Sequence, residues 1–154
     1  MDHQQHLETA IALACENVES GGGPFGAIVV KDGQIIGRGG NRVTPNNDPT
    51  AHAEITAIRD ACNTLGTFQL EGCVLYTSCE PCPMCLGAIY WARPEAVFYA
   101  MNKDDAATIG FDDAFIYDEI SKSYTERTIP FHRLVADDKR PFQQWETKTD
   151  RVNY

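Results

Sequence analysis

The chain has 154 residues, 43% of them hydrophobic and 23% charged, so we expect one folded domain with a sizeable core rather than a disordered chain. Its net charge of −9 argues against nucleic acid as a partner, because an acidic surface repels phosphate backbones. No apolar segment approaches the ~20 residues that span a bilayer, and residues 1–10 lack the features of a signal peptide, so we expect a cytoplasmic protein with no membrane association.

The first half of the chain alternates clear helical and strand signals with turn residues. Apolar residues at helical spacing, ended by three glycines at 21–23, predict the first helix. Asp32-Gly33 between two β-rich runs is a strong hairpin signal. Asp48 or Thr50 is the predicted cap of the second helix. The predicted elements are a helix at 2–19, strands at 27–31 and 34–38, a loop at 39–50 and a helix at about 50–65. The predicted buried stripe of that second helix is Ile55, Ile58, Cys62 and Leu65.

The second half begins with an apolar run typical of a strand that is covered on both faces. The predicted elements are a strand at 73–77, a helix from Cys82 or Pro83 to about Trp91, a strand at 96–100, a loop at 101–112, a short helix at 113–121, an edge strand at 128–135 and a last helix at 141–150. Strand–helix–strand connections imply parallel neighbours, and the hairpin adds an antiparallel pair. We therefore predict an α/β fold, a three-layer α/β/α arrangement with a mixed sheet of about five strands.

Two short motifs indicate the chemistry: His52-Ala53-Glu54 and Pro81-Cys82-Pro83-Met84-Cys85. One imidazole nitrogen and two thiolate sulfurs leave a tetrahedral zinc ion one open position, which a catalytic zinc needs for water. His-x-Glu followed by Pro-Cys-x-x-Cys is the signature of the zinc nucleobase deaminases. Glu54 is not needed as a zinc ligand. It is well placed to carry protons from that water to a ring nitrogen and then to the leaving amine. The motifs predict hydrolytic deamination of an amidine-like ring carbon.

The spacing of the motif residues also predicts where they lie on their helices. Positions i and i+2 of a regular helix do not face each other, so His52 and Glu54 can cooperate only near a helix end. Cys82 and Cys85 also lie at a predicted helix start. We therefore expect two helix N-termini directed at one metal ion, where their partial positive charges favour thiolates.

Other interpretations of the cysteines remain open. Cys79, Cys82 and Cys85 form Cys-x-x-Cys-x-x-Cys, which could begin an iron–sulfur motif, but the position of the fourth cysteine is Ile89. A structural zinc site of three cysteines and His52 is possible, although it leaves the neighbouring glutamate without a role. The other three cysteines are predicted to be core residues: Cys15, Cys62 and Cys73.

Beyond these motifs, the chain resembles the cytidine deaminase superfamily, and within it the small bacterial guanine deaminases. The resemblance extends over GGPFGAIVVKDG, NDPTAHAEITAIR, LYTSCEPCPMCLGAIYWARP, GFDDAFIY, ERTIPF and a terminal tyrosine. It implies one zinc-dependent deaminase domain over residues 1–154, with one zinc ion per subunit on His52, Cys82 and Cys85. It also implies a homodimer in which the C-terminal segment, residues 136–154, is swapped to the partner subunit.

The resemblance further implies a purine site formed by Phe25, Asn41, Trp91, Asp113 and Tyr154. Phe25 and Trp91 can sandwich a flat ring, and Asp113 can accept hydrogen bonds from N1–H and the 2-amino group of guanine. Asn41 offers a donor and an acceptor to the remaining edge, and Tyr154 would come from the partner. The implied reaction converts guanine and water to xanthine and ammonia by attack of zinc-bound hydroxide on C2, with the glutamate as proton shuttle.

Three alternatives to guanine deamination share part of this evidence. A tRNA adenosine deaminase has the same zinc motif, but the net charge of −9 and the absence of a basic tail count against it. A cytosine or free-nucleoside deaminase belongs to the same superfamily. A zinc-supported purine-binding protein would keep the cysteines and bind guanine without turnover.

Overall fold

The computed structural model describes residues 2–134 and 138–154, in two compact units, Met1–Asp113 and Ala114–Tyr154. The elements of the first unit are α1 (His3–Glu19), β1 (Gly23–Lys31), β2 (Gln34–Asn41), α2 (Val43–Asn46), α3 (Ala53–Leu65), β3 (Cys73–Cys79), α4 (Pro83–Ala92), β4 (Ala96–Met101) and α5 (Lys103–Thr108). Those of the second unit are α6 (Ala114–Ser121) and α7 (Arg140–Thr147). Among the described residues, none of the helices has the length and apolar character that a membrane crossing requires.

The sheet of the first unit is mixed, as predicted, and its strand order is β2-β1-β3-β4. β1 runs antiparallel to both β2 and β3, whereas β3 and β4 are parallel neighbours joined through α4. Alternate residues of a strand lie on opposite faces. Ala27 and Val29 accordingly pack with α3 and α4, while Ile28 and Val30 pack with α1. The sheet therefore lies between two helical layers, which agrees with the three-layer prediction.

The prediction of about five strands is wrong for the described residues, where the sheet has four. The predicted edge strand at 128–135 does not form over 128–134, and residue 135 lies outside the described residues. The backbone of this stretch is bonded locally instead. The amide of Thr128 donates to the carboxylate of Glu119 at 2.7 Å, and the amide of Phe131 donates to the carbonyl of Tyr124 at 3.0 Å. Pro130 has no amide hydrogen to give to a ladder.

Helix α3 packs directly against two glycines of β2, which leave no room for a side chain between the helix backbone and the strand. A Cβ atom on Gly39 would lie 2.4 Å from the carbonyl oxygen of Ala53, and one on Gly37 would lie 2.6 Å from that of Ala57. The buried side of α3 is consequently an alanine stripe, Ala53, Ala57 and Ala61. The larger side chains of the predicted stripe are only partly buried: Ile55, Ile58, Cys62 and Leu65.

Two further expectations for the first unit are corrected. The predicted loop at 101–112 contains α5, a six-residue helix whose capping box joins Asn102 and Asp105 through two backbone-to-side-chain bonds of 2.9 Å. A polar helix this short has no apolar periodicity by which a sequence pattern could reveal it. Cys15 is exposed rather than in the core, while Cys73 is buried and Cys62 is half-buried.

The second unit is held together by polar and ring contacts. Its helices at 114–121 and 140–147 lie close to the predicted ranges. Arg127 donates from Nε to the carbonyl of Glu119 at 3.0 Å. The same guanidinium lies over the rings of Tyr124 and Phe131, at 4.8 and 5.1 Å from their centroids. None of the described residues from 114 onward is buried, so this unit has no hydrophobic core of its own.

Candidate active site

Helices α3 and α4 each begin at a predicted metal ligand. His52 is the N-cap residue of α3 with φ −67° and ψ 158°, and Cys82 is the N-cap residue of α4 with φ −67° and ψ 169°. Neither side chain makes a capping hydrogen bond. Pro83 follows in the first turn of α4, where the fixed φ of proline suits a helix start. The expected pair of helix N-termini is therefore present.

The predicted cap of α3 by Asp48 or Thr50 is wrong, because the helix begins at Ala53. The carboxylate of Asp48 instead accepts from the amide and the hydroxyl of Thr50, at 2.9 and 2.7 Å. These two hydrogen bonds close a local turn and lower the pKa of Asp48. They also occupy the carboxylate that would otherwise cap the helix. His52 is therefore the N-cap residue of α3.

The three predicted metal ligands lie together with spacings that suit zinc. Nδ1 of His52 lies 3.5 Å from Sγ of Cys82 and 3.6 Å from Sγ of Cys85. All three ligand atoms are within 4.8 Å of one another. Zinc–sulfur bonds of about 2.3 Å and zinc–nitrogen bonds of about 2.0 Å at tetrahedral angles separate nitrogen from sulfur by about 3.5 Å. The donor set therefore fits a tetrahedral zinc ion and leaves room for one further ligand.

Cys79 is not part of this cluster. The group of possible metal ligands found among the described residues consists of His52, Cys82 and Cys85. Sγ of Cys79 instead lies 3.6 Å from the carbonyl oxygen of Asn102, and burial raises the pKa of its thiol to about 11. This arrangement disfavours the structural site of three cysteines.

Hydrogen bonds among the three ligand residues shift their pKa values, and a metal ion would displace the protons in these bonds. A hydrogen bond from Cys85 lowers the pKa of Cys82 to about 4. The same hydrogen bond, followed by burial, raises the pKa of Cys85, and the hydrogen bond with Cys82 raises the pKa of His52. Metal binding releases such protons, because only thiolates and neutral imidazole are ligands.

Glu54 lies beside the ligands in the first turn of α3 and is 6% exposed. Oε2 of its carboxylate is 3.4 Å from Sγ of Cys85, and Oε1 accepts from the hydroxyl of Thr77 at 3.2 Å. Burial raises the pKa of Glu54. A carboxylate that is buried next to a metal site without being one of its ligands is well placed to accept and release a proton.

Two predicted substrate residues lie where β1 and β2 meet. Phe25 is half-buried at a register shift between Gly23 and Gly26, and its ring meets that of Phe111 edge-on at 5.0 Å. A register shift of this kind, a β-bulge, changes the direction in which the side chains of the strand point. Asn41 is 8% exposed at the end of β2, and its Oδ1 accepts from the amide of Val43 at 3.2 Å.

The other three predicted substrate residues lie on separate elements. Trp91 is on α4 and is 62% exposed. Asp113 is half-buried, and its pKa is raised chiefly by burial and also by the nearby charge of Cys82. Tyr154 belongs to the second unit and is 71% exposed. The structure thus groups the three ligands with Glu54 and places Asp113 within electrostatic reach of them.

Two buried polar residues near the site were missed by sequence reasoning. Asn17 of α1 donates from Nδ2 to the carbonyl oxygens of Gly23 and Asn41, at 2.7 and 2.8 Å, and its Oδ1 accepts from Arg42. Asn17 follows Ala10 and Ala14 on the buried side of its helix. An amide side chain within an apolar stripe was therefore the sequence feature that could have revealed its buried role. Thr77 had a similar signal, since it interrupts the apolar run of a doubly covered strand.

Residues 1–101 match the family described as the cytidine and deoxycytidylate deaminase zinc-binding region. This stretch contains the metal ligands and Glu54. Over its whole length the chain is similar to the guanine deaminase of Bacillus subtilis, with 60% identity and coverage of 100% of both sequences. It is equally similar to an X-ray structure of guanine deaminase from Bacillus subtilis, with a TM-score of 0.98, 60% identity and coverage of 100% of this chain and 99% of that one.

Other relatives resemble a smaller part of the chain. The tRNA-specific adenosine deaminase of Aquifex aeolicus is 44% identical over 110 residues, which are 71% of this chain and 73% of that protein. A structure of guanine deaminase from Nitrosomonas europaea has a TM-score of 0.68 and 37% identity, and the match covers 70% of this chain and 63% of that one. The similarity to the Bacillus subtilis protein includes all of the second unit.

Proposed function

Because the chain belongs to the family of the cytidine and deoxycytidylate deaminase zinc-binding region, we propose that it is a zinc-dependent hydrolase that converts guanine and water to xanthine and ammonia. The observation that carries this proposal is the similarity of the whole chain, at 60% identity, to a guanine deaminase. The match to a tRNA adenosine deaminase covers 71% of the chain at 44% identity, so the full-length similarity favours a free purine base as the substrate.

His52, Cys82 and Cys85 would hold the zinc ion, since their ligand atoms have the spacing of a tetrahedral site. Zinc in such a site lowers the pKa of a water molecule in its open position to about 7. The chain contributes the two helix starts on which His52 and Cys82 lie. Their positive ends favour the negative charge that develops during attack on the ring.

Glu54 is the proposed proton shuttle. Its Oε2 lies 3.4 Å from Sγ of Cys85, so it is next to one of the residues that would hold the metal ion. It would take one proton from the water and give it to a ring nitrogen, and then take the second proton from the new C2 hydroxyl and give it to the amine, which leaves as ammonia as the C2 carbonyl forms. Burial raises the pKa of Glu54, which favours its accepting the proton in the first step.

The purine would be held by the residues at the end of the sheet and on α4. Asn41 already uses Oδ1 for the amide of Val43, so its Nδ2 donors would be the groups that bind acceptors on the base. Asp113 would accept from the adjacent N1–H and 2-amino donors of guanine. Phe25 and Trp91 would supply aromatic surfaces for the ring.

We also propose a homodimer in which the C-terminal segment is exchanged, so that Tyr154 completes the site of the partner subunit. The predicted segment is 136–154, of which residues 136 and 137 lie outside the described residues. Support comes from the second unit, which buries none of its described residues. Its exposed large apolar side chains include Phe115, Ile120, Ile129, Phe131, Leu134, Phe142 and Trp145. Exposed apolar surface of this kind is typical of an interface.

Ammonia release from guanine, adenine, cytosine and a tRNA anticodon stem tests the substrate, with the zinc content measured on the same samples. We expect turnover of guanine by protein that contains one zinc ion per subunit. Turnover of the tRNA stem but not of the free base would overturn the proposal in favour of a tRNA deaminase. Guanine binding without ammonia release would instead identify a purine-binding protein.

Removal of the last residues through Tyr154 tests the exchanged segment. We expect the truncated chain to keep its thermal unfolding transition and zinc content but to lose most of its kcat. Tyr154→Phe is the matched control, because it keeps the ring and the length of the chain and removes only the hydroxyl. A fully active truncated protein would show that the tail does not complete a site.

A further inference from the structure

We propose that Thr77 is a positioning residue for Glu54, and that its hydroxyl fixes the plane of the carboxylate so that one oxygen is directed at the metal ligands. The inference rests on the proposed function, since it concerns the proton shuttle of that reaction. Thr77 lies on β3 and is 1% exposed. The single proton of its hydroxyl is shared between Oε1 of Glu54 at 3.2 Å and the carbonyl oxygen of Cys79 at 3.1 Å, whereas the other carboxylate oxygen of Glu54 faces Cys85.

The position of Thr77 in the strand calls for an apolar residue. Cys73 and Leu75 belong to the cluster that packs beneath α3 and α4, and Thr77 is the next residue of β3 with that orientation. Valine has the same shape and would continue the apolar face at no cost for burying a hydroxyl. A buried hydroxyl is unfavourable unless it is hydrogen-bonded, and here one of its partners is the carboxylate of Glu54.

The geometry of the carboxylate explains what this hydrogen bond does. The last torsion of a glutamate side chain is broad, so burial alone does not fix the plane of the two oxygens. The hydroxyl of Thr77 holds Oε1 at 3.2 Å, and Oε2 then lies 3.4 Å from Sγ of Cys85. The carbonyl oxygen of Cys79, 3.1 Å from Oγ1, shares the same hydroxyl proton and so restricts the direction of the O–H bond. The oxygen that faces Cys85 is thereby held in position to exchange protons at the site.

This role predicts an effect on kcat rather than on substrate or metal binding. Proton transfer requires donor and acceptor atoms about 2.6–3.2 Å apart, and a misplacement of about 1 Å costs about a hundredfold in rate. The hydroxyl of Thr77 contacts the carboxylate of Glu54 and the carbonyl of Cys79, neither of which is a zinc ligand, so its removal should leave zinc content unchanged.

The test compares Thr77→Val, which removes the hydroxyl at constant shape, with Thr77→Ser, which keeps it. Steady-state guanine turnover and zinc content are measured for both proteins. For Thr77→Val we expect kcat to fall about 10- to 100-fold, with KM within about twofold of wild type and one zinc ion per subunit. For Thr77→Ser we expect kcat within about threefold of wild type. If the valine variant fails to fold, Thr77→Ala takes its place in the same comparison.

A double-mutant cycle separates positioning from a general structural role. In a Glu54→Gln background, Thr77→Val should change the residual kcat by less than about twofold, because the group through which Thr77 acts is absent. An equal loss in both backgrounds, a wild-type kcat for Thr77→Val, or equal impairment of the serine and valine variants would each overturn the inference. A wild-type protein that does not deaminate guanine would instead refute the proposed function.

Discussion

The close packing of α3 against β2 predicts that Gly39→Ala weakens zinc binding as well as folding. A Cβ atom at position 39 would lie 2.4 Å from the carbonyl oxygen of Ala53 and 2.4 Å from the amide nitrogen of Ala57, whereas ordinary contacts begin near 3.4 Å. Both neighbours are backbone atoms that cannot rotate away. Because the core is close-packed, α3 must move by about 1 Å to admit the methyl group.

That displacement is large on the scale of a metal site. His52 lies at the start of α3, whereas Cys82 and Cys85 lie at the start of α4. Zinc sites tolerate deviations of about 0.2 Å in their bond lengths, so a shift of about 1 Å in one ligand disrupts the tetrahedron. We expect the zinc affinity of Gly39→Ala to fall at least about tenfold. We also expect the metal-free protein to lose about 1–3 kcal/mol of unfolding free energy through overpacking.

Competition with a chromophoric chelator measures the zinc affinity, and urea denaturation measures stability. Gly37→Ala is the matched control, because its Cβ atom would lie 2.6 Å from the carbonyl of Ala57, one turn further from His52. It should be similarly destabilised but bind zinc more tightly than Gly39→Ala. Gly87 of α4 has open space around it, so Gly87→Ala should gain up to about 1 kcal/mol. Wild-type zinc affinity in Gly39→Ala would refute the reasoning.

Three further predictions concern single groups of the site. Asn17→Ala leaves the carbonyls of Gly23 and Asn41 without their buried donor, so urea denaturation should show a loss of about 1–3 kcal/mol; unchanged stability would mean that these bonds contribute nothing. Glu54→Gln should retain zinc and lose nearly all of its kcat in the ammonia assay, and an unchanged rate would remove its role as shuttle. Chelation of zinc should abolish ammonia release and lower Tm, with about 2.7 kcal/mol lost relative to protein at a free zinc concentration of 100 Kd; full activity after verified metal removal would contradict the zinc assignment.

Much of the fold was predictable because its signals are local. The hairpin at Asp32-Gly33 and the helix ended by three glycines follow from turn chemistry and from apolar periodicity. The alanine stripe of α3 could not be predicted in the same way. It depends on Gly37 and Gly39, which belong to another element and admit the helix backbone only once the two are packed together. The larger residues of the predicted stripe carried the stronger apolar signal.

The residues of the site also divide into those with a local sequence signal and those without one. His52, Cys82 and Cys85 were predictable because zinc accepts few ligand types at few spacings, so their chemistry is visible in a short motif. Thr77 and Asn17 were missed because their roles depend on distant partners. The carboxylate that Thr77 holds is 23 positions away along the chain, and one carbonyl that Asn17 holds is 24 positions away. Neither separation follows a regular period.

The two helices that start at the metal site occupy their N-cap positions with residues that do not cap. Serine or aspartate at positions 52 and 82 would satisfy open amides and contribute about 1 kcal/mol at each helix, whereas His52 and Cys82 make no such bond. Directed evolution that selects for thermal stability alone would therefore favour replacing both residues. The selected variants would be more stable but would lack catalytic activity. Thermostabilisation campaigns on this scaffold need a catalytic screen in every round.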